Sequence, residues 1–162
     1  MALLYFYICQ PIFVSFLWGS WIALLGILLR AWASGHLYKN QRVATSGPYA
    51  FTRNPLYLGS FIIGLGFCLI ARSYAATGIF VFLFAVLYIP SMQRETEYLR
   101  ETFGAVYSHY EAGVPVFFPR WTPFPCLPNS FNFHQYFANK EYKAGLGYLG
   151  ALALLLLKMR LA

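Results

Sequence analysis

The chain has 162 residues, of which 59% are hydrophobic, 20% aromatic and only 10% Asp, Glu, Lys or Arg. Soluble domains carry about 25% charged residues, and a fold of this length cannot hide so much apolar surface, so a soluble globular protein is excluded and lipid becomes part of the solvent. The net charge of +7 would suggest nucleic acid on a soluble chain; here it reads as the basic bias of cytoplasmic loops between membrane spans, and no nucleic acid is expected as a partner.

In chain order, Met1 to Leu29 contains no charged side chain. It lacks a basic start and is too long for a cleavable signal peptide, so it predicts a first span. A break near Pro11 would divide it into two pieces. The loop that follows carries Arg30, Lys39, Arg42 and Arg53. Within it, Thr45-Ser46-Gly47-Pro48-Tyr49 is turn chemistry. Asn54-Pro55 then places a capping residue before proline at the first helical position. A helix start of this kind favours anions, and Arg53 stands beside it, either as an anion ligand or as an interfacial anchor.

Asn54 to Ala71 and Ser73 to Gln93 are two further uncharged runs, separated by Arg72. The short connection predicts a tight antiparallel hairpin. Gly59, Gly64 and Gly66 on one helix and Gly78 on the other would allow close approach. Gly64-Leu65-Gly66 is read as helix packing, with a nucleotide contact as the alternative; it is not a Rossmann fingerprint, since position 69 is leucine and no strand precedes the glycines.

Ser91 to Tyr110 predicts an amphipathic helix on the cytoplasmic side. Leu99, Phe103, Val106, Tyr107 and Tyr110 form its apolar stripe. Arg94 with Glu97, and Glu97 with Arg100, are spaced for i,i+3 pairs. Glu95 falls on the stripe, where a buried carboxylate needs a cation. That cation is either a loop Arg or Lys or the ammonium group of a ligand. After Gly113 come prolines and aromatics that cannot continue a helix. They predict a loop lying on the headgroups or the wall of a groove for a lipid-like substrate. Ala144 to Leu157, between Lys143 and Lys158, predicts a short fourth span lengthened by snorkelling lysines.

With four alternating spans, the segments Arg30–Arg53 and Arg94–Lys143 lie on one side with nine basic residues, against three on the other. The expectation is one all-α domain over residues 1–162, a polytopic membrane helical bundle with a cytoplasmic charged face. Cys9, Cys68 and Cys126 are scattered and read as packing residues. His36, His109 and His134 share no ligand spacing, so no metal is expected.

Two blocks carry a resemblance. Thr45-Ser46-Gly47-Pro48-Tyr49-Ala50-Phe51-Thr52-Arg53-Asn54-Pro55-Leu56-Tyr57-Leu58-Gly59 resembles the GPYxxxRHPxYxG signature of isoprenylcysteine carboxyl methyltransferases. Arg94-Glu95-Thr96-Glu97-Tyr98-Leu99, Phe103-Gly104, Tyr107, Tyr110 and Val114-Pro115 resemble that family's downstream EExxLxxxFGxxYxxYxxxVP block. The resemblance implies an S-adenosyl-L-methionine-dependent membrane methyltransferase related to phospholipid methyltransferases. It implies a cofactor site of Gly47, Pro48, Tyr49, Arg53, Asn54, Pro55, Tyr57, Leu58, Gly59, Glu95, Tyr107 and Tyr110, with Arg53 and Glu95 as the catalytic pair. Asn54 stands where the family has histidine; it can cap and donate but cannot titrate near neutrality. Thr96 replaces the second glutamate.

The chemistry of the donor fits these residue types. Glu95 suits its ammonium, Arg53 and the helix start suit its carboxylate, and Tyr49, Tyr57, Tyr107 or Tyr110 suit its sulfonium or adenine. No side chain offers itself as a general base. The expected acceptor is therefore already deprotonated: the carboxylate of a prenylcysteine-like or other amphiphilic acid. A phospholipid amine is the alternative, and an NADPH-dependent reductase relative or a non-catalytic membrane protein on the same fold is the alternative of another class.

Overall fold

A computed structural model describes residues 9–125 and 130–161. Cys126 and the piece of the first apolar run before Cys9 lie outside them. Among the described residues every regular element is helical: α1 (Phe13–His36), a 3-10 turn (Gly47–Ala50), α2 (Pro55–Ala71), α3 (Tyr74–Phe103), α4 (Ala105–Gly113), α5 (Phe133–Ala138) and α6 (Tyr142–Leu161). α1, α3 and α6 are long and apolar enough to cross a membrane. The helix that falls short is α2. Its 17 residues rise about 26 Å, against roughly 30 Å of hydrocarbon. The final run, expected to be the short one, forms a 20-residue helix.

α1 begins just after Pro11. Ser15 closes its first turn by accepting from the Ile12 N–H and donating to the Ile12 carbonyl. α1 and α2 run antiparallel and touch through glycines. A Cβ at Gly66 would lie 2.5 Å from the Gly19 carbonyl, and one at Gly26 would lie 2.6 Å from the Gly59 carbonyl. Backbones can meet this closely only where no side chain intervenes.

The connection from α2 to α3 is as short as expected. Arg72 takes the left-handed conformation at φ 54°, and Ser73 caps α3 by accepting from the Ala76 N–H. The close packing expected of this pair does not form. A layer of rings separates the two helices: Phe61 stacks on Phe80, Phe84 on Tyr88, and Tyr57 meets Tyr88 edge-on. Gly64 makes room for the Phe80 ring, while Gly78 faces open space. The glycines of α2 therefore serve mainly the α1 side, and Gly78 draws no helix close.

The separate amphipathic helix expected over Ser91–Tyr110 is also corrected. α3 passes through Pro90 without ending and breaks only at Gly104, φ +53°. The break resets the helical phase. Tyr107 and Tyr110 are buried, whereas Val106, expected on the same stripe, is 66% exposed.

α6 lies antiparallel to α1. Leu155 packs with Cys9, Ile70 and Ala71, Tyr148 donates to the Ser20 carbonyl, and Lys158 donates to the Cys9 carbonyl. One end of the bundle thus gathers the Arg30–Arg53 and Arg94–Lys143 segments, as the alternation of spans predicts. A strap of residues 115–124 binds the loop of residues 50–53 at that end. The N–H groups of Arg53, Arg120 and Phe124 donate to the carbonyls of Pro115, Phe51 and Ala50, and the Thr52 hydroxyl donates to Phe117.

Candidate functional site: a polar cavity joined to an apolar groove

At the charged end lies a cavity of about 380 Å³. Its walls come from the end of α1, the loop of residues 37–44, the start of α2, the outer part of α3 and the buried tyrosines of α4. Tyr49, Arg53, Asn54, Pro55, Tyr57, Glu95, Tyr107 and Tyr110 all line it, brought together from segments up to 61 residues apart (the Tyr110 hydroxyl donates to the Tyr49 carbonyl at 2.8 Å).

Gly47, Pro48, Leu58 and Gly59 do not line the cavity. Gly47, at φ +60°, sits against the His36 ring, and a Cβ there would lie 2.6 Å from it. Gly59 faces away, where its missing side chain admits the stem of Arg30 and the Gly26 carbonyl. Both glycines shape the backbone that carries the lining residues.

Glu95 is not buried. It is exposed at the cavity mouth, faces the Tyr57 hydroxyl, and forms no ion pair among the described residues. The rest of the predicted stripe does pack: Leu99 and Phe103 lie against the buried Tyr107, Tyr110 and Val114, whereas Glu95 opens onto the cavity. The i,i+3 pairs of Arg94, Glu97 and Arg100 do not form among the described residues either. Arg100 instead makes two hydrogen bonds to Glu111, at 2.9 and 3.0 Å.

Arg53 donates through Nη1 to the same Glu111 carboxylate. Its side chain is 10% exposed, and its buried Nε has no hydrogen-bond partner. Between them Arg100 and Arg53 hold the Glu111 carboxyl below its ordinary value, the Arg100 hydrogen bond contributing most. Burial, followed by the nearby Glu95 charge, pushes the Tyr49 phenol well above its ordinary value.

Asn54 occupies the N-cap position, but its side chain does not cap α2. The amide donates instead to the Val116 carbonyl at 2.9 Å and ties the strap to the helix start. Thr96, in place of the second family glutamate, accepts from Tyr107 at 3.5 Å.

A second cavity of about 580 Å³ lies along α3, closed by Phe61 of α2, by Val116 and Phe117 of the strap, and by Arg53 and Glu111. Phe61, Val81, Phe84, Ala85, Ile89, Met92, Val116 and Phe117 form an apolar groove, and Arg53, Thr96, Glu97, Arg100 and Glu111 form its polar end. Arg53 and Thr96 line both cavities. The aromatic loop after Gly113 thus contributes a groove wall through Phe117.

Sequence reasoning missed Glu111, Arg30, Tyr88 and the loop of residues 37–44. Glu111 pairs over distances of 11 and 58 residues, beyond any local spacing rule. His36 takes a buried packing position against Ser46, Trp32 and Phe131, His109 is exposed beside the Phe124 ring, and His134 is exposed.

Fold and site together define a helical membrane protein in which a cavity at the charged end and an apolar groove share a wall. Residues 12–106 match the phospholipid methyltransferase family, and the chain belongs to it. It is 30% identical over 115 residues to the cobalt-zinc-cadmium resistance protein CzcN of Cupriavidus metallidurans, covering 63% of this chain and 53% of that protein. It is 28% identical over 109 residues to the nickel-cobalt-cadmium resistance protein NccN of Alcaligenes xylosoxydans xylosoxydans, covering 64% and 51%. It is 31% identical over 77 residues to the protein-S-isoprenylcysteine O-methyltransferase of Schizosaccharomyces pombe, covering 48% and 33%. The chain therefore spans about half the length of the first two relatives and a third of the yeast enzyme. No solved structure matches it.

Proposed function

We propose that the chain transfers a methyl group from S-adenosylmethionine, bound in the polar cavity, to the carboxylate of a prenylcysteine-like or other amphiphilic acid lying in the groove, on the cytoplasmic face of its membrane. One observation supports this above the others. Arg53 and Thr96 border both cavities, so a water-soluble donor and a lipidic acceptor can meet across a single pair of side chains.

The residues present fit the donor. A cavity of about 380 Å³ falls in the range of small-molecule sites. Arg53 keeps a buried, unpartnered Nε for an anionic group, Glu95 offers an unpaired carboxylate for an ammonium, and several tyrosine faces suit a sulfonium. When bound, the donor supplies an electrophilic methyl group on a good leaving group. The protein's part is to orient the acceptor and exclude water. Arg100 holds an acceptor's anionic head at the groove mouth, while Phe61, Phe84 and Phe117 hold its apolar body. Asn54 is committed to Val116 and takes no proton, which suits an acceptor that needs no deprotonation.

A phospholipid amine is the second reading, supported by the family's description and by Glu97 at the polar end of the groove. Purified protein in detergent with labelled donor separates the two, using a farnesylcysteine analogue and phosphatidylethanolamine as acceptors. Label in the first supports the carboxylate reading; label in the second alone rejects it. Melting shifts with S-adenosylhomocysteine but not NADPH would set both apart from a reductase relative.

A further inference from the structure

We infer that Glu141, beyond the family-matched region, is a positioning residue for the polar cavity, acting through Arg30. The inference rests on the cavity being the S-adenosylmethionine site.

Arg30 lines the cavity from the last turns of α1. Its guanidinium is held on two sides. Nη1 donates to the Leu56 carbonyl at 3.2 Å and to the Ser60 hydroxyl. Nε donates to the Glu141 carboxylate, which is 9% exposed. The stem lies in the space left by Gly59. Two segments distant in sequence thus fix one cationic side chain, and Nη2 keeps no hydrogen bond to a described residue. Neutralised by Glu141, Arg30 acts toward a ligand as a fixed hydrogen-bond donor rather than a free cation.

Glu141 is itself held. The segment before it clamps the end of α1. Phe131 fills the notch at Gly35, and the Asn139 amide donates to the carbonyls of Ser34 and Leu37 at 2.9 and 3.0 Å, satisfying groups that a helix end leaves open. Asn132 donates to the hydroxyl of Tyr38, a second lining residue. The family match ends at residue 106, so a segment outside it sets two walls of the cavity.

The test is calorimetric binding of S-adenosylhomocysteine to detergent-purified wild type, E141Q, E141D, R30Q and the R30Q/E141Q double variant, alongside ligand-free melting. E141Q should weaken binding about fivefold or more, within the usual coupling range for contacting residues. E141D should recover part of the affinity, and the double variant should be no weaker than the worse single one. In the transfer assay, KM for the donor should rise with kcat unchanged. Unaltered affinity in E141Q overturns the inference, as do additive losses. If E141Q does not fold, wild-type affinity in E141D overturns it as well. A wild type that binds no S-adenosylhomocysteine removes the proposed function and this inference together; a binding wild type with an indifferent E141Q removes the inference alone.

Discussion

Arg53 reaches across the charged end of the bundle to Glu111, 58 residues further on, and leaves its own Nε buried without a partner. An unpaired donor in such a place costs about 1–3 kcal/mol, which is tolerable where a ligand completes the set. The same carboxylate takes Arg100, so a single glutamate ties the helix start of α2 to the outer end of α3.

Replacing Arg53 with lysine keeps the charge and loses the planar fork. Methyl transfer should fall at least about tenfold, since a charged hydrogen bond contributes about 1.5–3 kcal/mol. Single-turnover rates with labelled donor measure it, and transfer at the wild-type rate would refute the role given to Arg53.

Glu111 makes stability depend on acidity. Its folded-state pKa lies below the ordinary 4.5. Its contribution is therefore complete above that value and is lost as pH falls through the lower folded-state value. The melting temperature of wild type should drop more between pH 7 and acid than that of Glu111→Gln. Parallel pH profiles for the two proteins would rule out the linkage.

Glu95 is exposed, so its contribution to donor binding should be sensitive to salt. Glu95→Gln should weaken S-adenosylhomocysteine about tenfold at low ionic strength, and the gap should narrow in high salt. Equal affinities of the two proteins at low salt would contradict a role in holding an ammonium.

Gly66 and Gly78 should respond oppositely to alanine. A Cβ at Gly66 meets backbone atoms at 2.5 and 2.6 Å, and overpacking of this kind costs about 1–3 kcal/mol. Gly78 has nothing within 4 Å, and alanine there should be neutral or stabilising by up to about 1 kcal/mol. Thermal melting in detergent distinguishes them; a tolerant Gly66 would mean that α1 and α2 do not touch as described.

Ala85 sits in the groove wall. Ala85→Phe should raise KM for a lipidic acceptor while leaving S-adenosylhomocysteine affinity unchanged. A loss in both would mean that the groove and the cavity are not separate compartments.

Much of the architecture was written in short-range chemistry. Uncharged runs marked the spans, the pattern of Lys and Arg marked the charged end, and Arg72-Ser73 marked the tight turn. Eight lining residues fell within two local motifs, because each motif sits on one helix start or one helix face, and such local geometry follows from spacing. What spacing could not show was the partner of each helix. The α2 backbone meets that of α1, because glycines on both helices allow backbone contact, whereas aromatic rings stand between α2 and α3. The groove lies along α3, against Phe61 and the strap residues Val116 and Phe117. The exposure of Glu95 also depended on tertiary packing, which covers Leu99 and Phe103 of the same stripe and leaves Glu95 open at the cavity. Pairings such as Arg53 with Glu111 and Arg30 with Glu141 arise only where distant segments close on one another, since an ion pair is fixed by distance in space and carries no signal in sequence.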